Sequence, residues 1–296
     1  VPATAAPWTE RVIEPVIRLA GMSAIAIVTV IFLFLLREGL PGLRQLPWQA
    51  MVGPRWYPIE EQFGLLPLVF GSLLVTAVAV VIAVPLGLTT AIYLGEMAPA
   101  WQRDLLKPVI EVLAGIPSIV LGFLGWIALA PLIQRLGAPT GLTAFTGALI
   151  LAYMALPTII SIAEDAIDAV PKAYRDGALA IGATEWQTTY RVVLPAARSG
   201  LATAVMLGVG RAIGETMGVL LATGNAAHIP LGPGMIFQPV RTMTATIAAE
   251  MGEVAQGSAH YHVLFLIGIV LFVITLIVNS IAARVVGRNR RRTSGV

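Results

Sequence analysis

The chain has no cysteine. Disulfides, thiolate metal sites and thiol catalysis are therefore excluded, while redox compartment stays unaddressed. Histidine is scarce as well. His228, His260 and His262 are the only three, too few and too scattered to suggest a metal site. Charge is also thin. Asp, Glu, Lys and Arg make up 12% of the residues, about half the ~25% of a typical soluble protein. A soluble fold of 296 residues has too much surface to leave so uncharged. Lysine is nearly missing: Lys107 and Lys172 are the only two, and arginine supplies the rest of the 19 basic residues. No Gly-x-x-x-x-Gly-Lys-[Ser/Thr] phosphate loop occurs, so ATP must be bound elsewhere if it is used. Nor does any His-Glu-x-x-His or Gly-x-Ser-x-Gly motif support an intramembrane enzyme.

What the chain has instead is apolar residues, 57% of the total, in long runs. The mean hydropathy is +0.84. Six runs are long enough to cross about 30 Å of hydrocarbon as helices. They are Ile17–Leu36, Leu65–Leu94, Pro108–Leu132, Phe145–Ile162, Ser199–Thr223 and Val263–Arg284. The expected fold class is all-α, a polytopic membrane protein with six transmembrane helices. The first run lacks a small-residue cleavage site after it and is long enough to span, so it is read as an anchor rather than a signal peptide.

Basic residues set the orientation. With the N-terminus inside, Arg37, Arg44, Arg55, Arg135 and Arg241 fall outside, thirteen Lys and Arg fall inside, and Arg211 is left within a span. The positive-inside rule then puts both termini in the cytoplasm. Three regions follow: 1–64 with the first span and an outer loop, a core of 65–284, and a basic tail, 285–296. The run from Arg284 to Arg292 reads as an anchor at anionic headgroups. Trp48, Trp56 and Tyr57 are expected at the membrane interface as an aromatic belt.

The cytoplasmic loop 163–198 has clear punctuation. Pro171 can begin a helix running through Tyr174, Asp176 and Ala178, which stops at Gly182 in a left-handed cap. Thr184, with Gln187 three residues on, forms a capping box for a second helix through Trp186, Tyr190 and Val193, followed by Pro195. This helix–turn–helix exposes an apolar face whose partner is either the membrane surface or another protein.

Span five is charged. Arg211 and Glu215 are four apart and are expected on one helix face. Arg211 lies thirteen residues beyond Arg198, roughly 20 Å along a helix, near mid-membrane. A charge there costs at least ~3 kcal/mol and generally faces a pathway. The bland alternative is an internal ion pair that neutralises itself. Arginine suits an oxyanion because its planar fork donates two parallel hydrogen bonds and stays charged. Glu215 would then hold Arg211 in place and weaken binding enough for release. Gly210, Gly214 and Gly218 recur every fourth residue and are expected to let another helix approach closely, between subunits or along a gate. Pro117 is expected to kink span three near the same depth, with Ser118 as a candidate cavity residue. The outer loop 224–262 should carry a short helix with Thr242, Thr244, Ile247 and Met251, surface or re-entrant. Arg241 beside it either receives the anion or is a loop charge.

Two stretches carry a family resemblance. Asp176-Gly177-Ala178, Gly182 and Val192-x-Leu194-Pro195 resemble the EAA loop of ABC importer permeases, Glu-Ala-Ala, three residues, Gly, nine residues, Ile-x-Leu-Pro. Asp176 and Val192 are conservative departures; Gly177 stands where the family prefers Ala. Gly210-Arg211-Ala212-Ile213-Gly214-Glu215-Thr216-Met217 is similar to the PstC-type permease subunit of phosphate importers, as are residues 114–120 and 241–261. The PstA-type sister usually has Ala-Pro where this chain has Met217-Gly218. The resemblance implies the type I ABC importer permease (MetI-like) fold in a bacterial plasma (inner) membrane. It implies an ATPase-docking coupling helix in the loop 163–198 and a link between Arg211, Glu215 and phosphate translocation. The implied partners are a PstA-type sister permease, a PstB-type ATPase dimer and a PstS-type extracytoplasmic phosphate-binding protein. Nucleic acid is not expected. No cofactor is expected in this chain, ATP and Mg belonging to the ATPase. Importers of molybdate or sulfate with the same architecture, and a secondary anion transporter, are the alternatives.

Overall fold

The computed structural model describes residues 8–45 and 51–293. In chain order these form α1 (Trp8–Gln45), a two-stranded antiparallel hairpin of β1 (Trp56–Tyr57) and β2 (Gln62–Phe63), α2 (Leu66–Met97) and α3 (Ala100–Ala114). Next come α4 (Ser118–Arg135), α5 (Ala144–Asp168), α6 (Lys172–Ala180), α7 (Glu185–Gly214) and α8 (Met217–Ala222). The chain then forms α9 (Met243–Glu250) and α10 (Ala259–Thr293). Six helices, α1, α2, α4, α5, α7 and α10, are long and apolar enough to cross a membrane. The expected all-α, six-span architecture holds; the small hairpin in the outer loop is an addition to it.

The core is built around α5, the most buried of the six, with α2 and α7 packed against it. Small side chains make this possible. On α2 every fourth residue from Gly71 through Val75, Ala79, Ala83 and Gly87 to Ala91 is buried. Such a stripe brings helix backbones close where lipid supplies no hydrophobic drive. A Cβ at Gly87 would lie 2.7 Å from Ile159 Cγ2, and one at Gly208 of α7 would lie 2.4 Å from Ile159 Cγ1. By contrast, α1 packs along α10, with Phe32 stacked on Phe272 at 4.6 Å between ring centroids.

Several sequence expectations change here. Span three was expected to be one helix over Pro108–Leu132. The chain instead breaks at Gly115–Pro117 into α3 and α4. Proline has no N–H and disfavours helix in the residue before it. Pro117 is thus the extended residue preceding α4 (ψ 136°) rather than a mid-span kink. The detached α3 is fastened to the end of α5 by charge. Arg103 Nε donates to Glu164 Oε1 at 3.1 Å and the same guanidinium pairs with Asp168. Lys107 Nζ reaches Glu164 at 3.4 Å. Burial works against the charge on Arg103, but Asp168 and Glu164 together outweigh it and raise its pKa above the usual arginine value.

The loop 163–198 is shorter than expected, because α5 runs to Asp168 and α7 starts at Glu185. Pro195 does not follow a separate second helix; that helix passes through a π-turn (Thr189–Val193) into the span itself. Trp56 is 1% exposed and belongs to a core with Phe63, Met243, Leu264 and Ile267, not to an interfacial belt. Tyr57 is exposed. Trp48 lies outside the described residues, as do the side chains of Arg288 and Arg290 to Arg292, although α10 continues through 285 without a break.

Candidate functional site

Two regions hold the candidate site residues of α6 and α7, one at the end of the bundle bearing α6 and one around the end of α7. The first is the hairpin of α6 and the start of α7. Pro171 precedes α6 as its cap residue (ψ 137°), one position earlier than expected. The helix closes as a Schellman motif. Gly182 takes φ +89°; its N–H donates to Leu179 O at 3.0 Å, and Ala183 N–H donates to Ala178 O at 3.1 Å. Thr184 and Gln187 then form the expected capping box. Asp176 and Gly177 are exposed while Ala178 is buried, and Leu194 and Pro195 lie within α7.

The hairpin presents an uncovered apolar surface. Tyr174, Leu179, Ile181, Trp186 and Tyr190 are all exposed, Ile181 to 87%. Trp186 and Tyr190 stack with an interplanar angle of 13°. Beneath it, Arg175 Nη2 donates to Glu96 Oε1 of α2 at 2.7 Å and to Ile167 O at 3.0 Å, and Nη1 donates to Val170 O at 2.5 Å. Thr189 Oγ1 of α7 lies 3.4 Å from the other Glu96 oxygen and 3.1 Å from Glu185 O, its one proton shared between them.

The second region is where α7 ends. The helix stops at Gly214, Glu215 is extended (φ −70°, ψ 137°), and α8 starts two residues later. Arg211 and Glu215 therefore do not share a helix face, and no ion pair joins them. The Glu215 carboxylate caps α8 instead, its Oε1 accepting the Gly218 N–H at 3.2 Å. Thr244 Oγ1 of α9 donates to Glu215 O at 2.8 Å and pins the break from the other side. The expectation that Glu215 holds Arg211 in place is overturned by this geometry. Glu215 also lines a cavity of ≈ 10 Å³ with Ser72, Thr76, Thr242 and Thr244, room for about one water.

Arg211 is exposed on the last turn of α7. Its contact is Nη1 to Thr158 Oγ1 of α5 at 3.3 Å. A guanidinium carries five N–H donors, so most of its capacity faces outward from this subunit. The glycine stripe is interrupted too. Gly214 has open space where a Cβ would be, Gly210 meets only Asn279 Oδ1 at 3.8 Å, and Gly218 sits on the separate α8. Gly218 packs on α4, where a Cβ on Gly122 would come within 3.0 Å of Gly218 Cα. Ser118 lies one turn before Gly122, half-buried at the start of α4. Arg241 is engaged with Glu250 (Nη2 to Oε1, 2.5 Å) and Thr246 (Nε to Oγ1, 3.2 Å). Glu250 also accepts from Trp56 Nε1 at 3.1 Å and meets His260 Nε2 at 2.8 Å, which locks the outer hairpin onto α9 and α10.

Sequence reasoning missed Thr158, Glu96 and Arg175. A threonine inside an apolar run gives no signal. Glu96 gives a weak one, as an acid at the very end of an apolar run. Among the described residues no group of three metal-ligating side chains occurs.

Residues 83–292 match the family described as "Binding-protein-dependent transport system inner membrane component". The chain belongs to that family. This transport-system component is similar to the "Probable ABC transporter permease protein YqgH" of Bacillus subtilis, at 39% identity over 265 residues, 86% of this chain and 83% of the relative. It is 35% identical over 305 residues to the "Phosphate transport system permease protein PstC" of Mesorhizobium japonicum, covering 96% of this chain and 92% of the relative. Among solved structures, the MetNI methionine ABC transporter superposes with a TM-score of 0.61 at 19% identity, over 76% of this chain and 95% of that one. A bacterial alginate ABC transporter gives 0.55 at 18% identity, over 94% and 99%. These two show the MetI-like fold. The chain is a multi-pass inner-membrane permease subunit and not an enzyme.

Proposed function

We propose that this permease is one of two membrane subunits of an ATP-driven importer of inorganic phosphate. The observation that carries the substrate reading is Arg211: a guanidinium on an apolar spanning helix, exposed and held by one threonine hydroxyl. Such a group is costly in a membrane unless it meets an anion or water, and its fork matches a tetrahedral oxyanion. The relatives named as phosphate permeases agree with this chemistry. Glu215 shapes the path by holding the break between α7 and α8. Gly210 and Gly214, open on this subunit, face the sister permease (PstA type), which completes the pathway. Ser118 lines the approach beside Gly122 and Gly218. Arg241, being paired to Glu250, stabilises the outer mouth.

The apolar knob of α6 and α7 docks a PstB-type ATPase dimer, through the turn at Gly182 and the surface around Asp176, Gly177 and Ala178. ATP and Mg are held there, outside this chain. A PstS-type binding protein delivers phosphate to the opposite face. Thirteen basic residues against five support cytoplasmic termini and a cytoplasmic α6.

The test is phosphate uptake by the assembled complex in vesicles, with and without ATP, and with sulfate and molybdate as competitors. ATP-dependent uptake that excess phosphate alone competes away is expected. Uptake independent of ATP, or blocked equally by sulfate or molybdate, contradicts the reading.

A further inference from the structure

We propose that Arg175 is a positioning residue that makes the ATPase-docking hairpin, α2 and α7 move as one body; this rests on the importer reading above. A single guanidinium on α6 touches Glu96 of α2, Ile167 O of α5 and Val170 O just beyond that helix. The other Glu96 oxygen lies 3.4 Å from Thr189 Oγ1 of α7, whose one proton is shared with Glu185 O at 3.1 Å. One side chain of α6 thus meets two spanning helices directly, α2 and α5, and reaches α7 through Glu96.

The burial makes the link firm. The Glu96 side chain is 8% exposed and that of Arg175 is 21% exposed. Separating them would strand a buried carboxylate, which is far costlier than keeping the pair together. The backbone around the link is irregular in a matching way. Glu96 belongs to a π-turn (Tyr93–Met97) that ends α2, and Thr189 opens the π-turn Thr189–Val193 of α7. A π-turn inserts one residue into the helical ladder and commonly marks a functional site. The two helices joined by the link are therefore irregular at the point of attachment and regular through the bundle. The hairpin is continuous with α7, so its displacement enters α7 along the chain, and Arg175 carries the same displacement into α2. One of them, α7, carries Arg211 at its far end.

This differs from a simple cap. Were Arg175 only satisfying the last carbonyls of α5, its contact with Glu96 would be dispensable. The charge pair on Arg103 provides the contrast, since it fastens α3 to α5 and makes no contact with the hairpin.

The experiment measures phosphate uptake and ATP hydrolysis in parallel on the reconstituted complex, normalised to inserted protein. Wild-type complex lacking ATP-dependent uptake would fail the importer reading, not this one. For Arg175→Gln, phosphate moved per ATP should fall about tenfold while hydrolysis stays within about twofold of wild type. Arg175→Lys, a point charge that cannot fork, should fall between. Glu96→Gln keeps the α5 contacts and must shift the ratio in the same direction. It decides the matter alone if Arg175→Gln fails to insert. An unchanged ratio in Glu96→Gln, or uptake and hydrolysis falling in step in all variants, overturns the proposal and leaves Arg175 as a helix cap.

Discussion

Arg175 and Arg211 sit at opposite ends of the same working unit, and the fold treats them differently. Arg175 is given a carboxylate and two backbone carbonyls, all at 2.5–3.0 Å. Arg211 is given one threonine hydroxyl at 3.3 Å. The first is a satisfied group in a mechanical link; the second is an unsatisfied group on an apolar helix. The bundle evidently has the means to neutralise a guanidinium, and at Arg211 it does not use them. Glu215, the obvious partner by spacing, is turned away to cap α8. That contrast, rather than the presence of a charge, is what supports our proposal that Arg211 is the anion ligand.

The contrast breaks most severely at Arg211 itself. Arg211→Gln should cut phosphate uptake on the order of 100-fold, about 3 kcal/mol of lost charge-assisted binding. Inserted subunit should hold steady, because the side chain carries no core packing. Loss of inserted protein in step with uptake would make Arg211 structural.

Gly182→Val should be next. The position needs φ +89°, which costs a β-branched residue about 1–3 kcal/mol. The Schellman turn should open and ATPase association weaken, with membrane insertion intact. Association measured by copurification at wild-type level would remove the docking assignment.

Gly122→Leu sharpens the other end. A Cβ there meets Gly218 Cα at 3.0 Å and Met217 O at 3.1 Å, so backbone must shift at roughly 1–3 kcal/mol. Thermal unfolding in detergent should show a lower midpoint. Gly214→Leu, whose Cβ would meet nothing within 4 Å, should leave the isolated subunit close to wild type and impair assembly with the sister permease. Equal unfolding midpoints for Gly122→Leu and wild type would contradict the packing described.

The smallest effect is expected at Gly177, where a Cβ meets nothing within 4 Å. Gly177→Ala should stabilise α6 by up to about 1 kcal/mol through helix propensity. A destabilised hairpin would mean a constraint unseen in the subunit alone.

The six spans were legible because apolar run length is a one-dimensional property. The hairpin was legible for a related reason: Gly182, Thr184 and Gln187 act through backbone groups within a few residues of themselves. Breaks inside spans were not. Pro117 reads equally as a kink or as a helix start, and nothing local chooses between them. The i,i+4 spacing of Arg211 and Glu215 presumes a continuous helix; Thr244, donating from α9 to Glu215 O, holds the interruption from 29 residues away. The same interruption puts Gly218 on a different helix from Gly210 and Gly214. The stripe that packs within this chain, on α2, mixes two glycines with alanine and valine and so hides in an apolar run. Thr158, Glu96 and Arg175 acquire meaning only from partners distant in sequence.

The central claim is that Arg211 binds the anion while Glu215 only shapes the backbone. Phosphate uptake in Glu215→Gln, Arg211→Gln and the double variant, normalised to inserted protein, tests it most directly. Glutamine keeps an oxygen that can accept the Gly218 N–H, so Glu215→Gln should retain most of its uptake, a change of less than about 1 kcal/mol. Both variants lacking Arg211 should sit at background. Recovery of uptake in the double variant would show that the two charges neutralise each other, and would contradict the account.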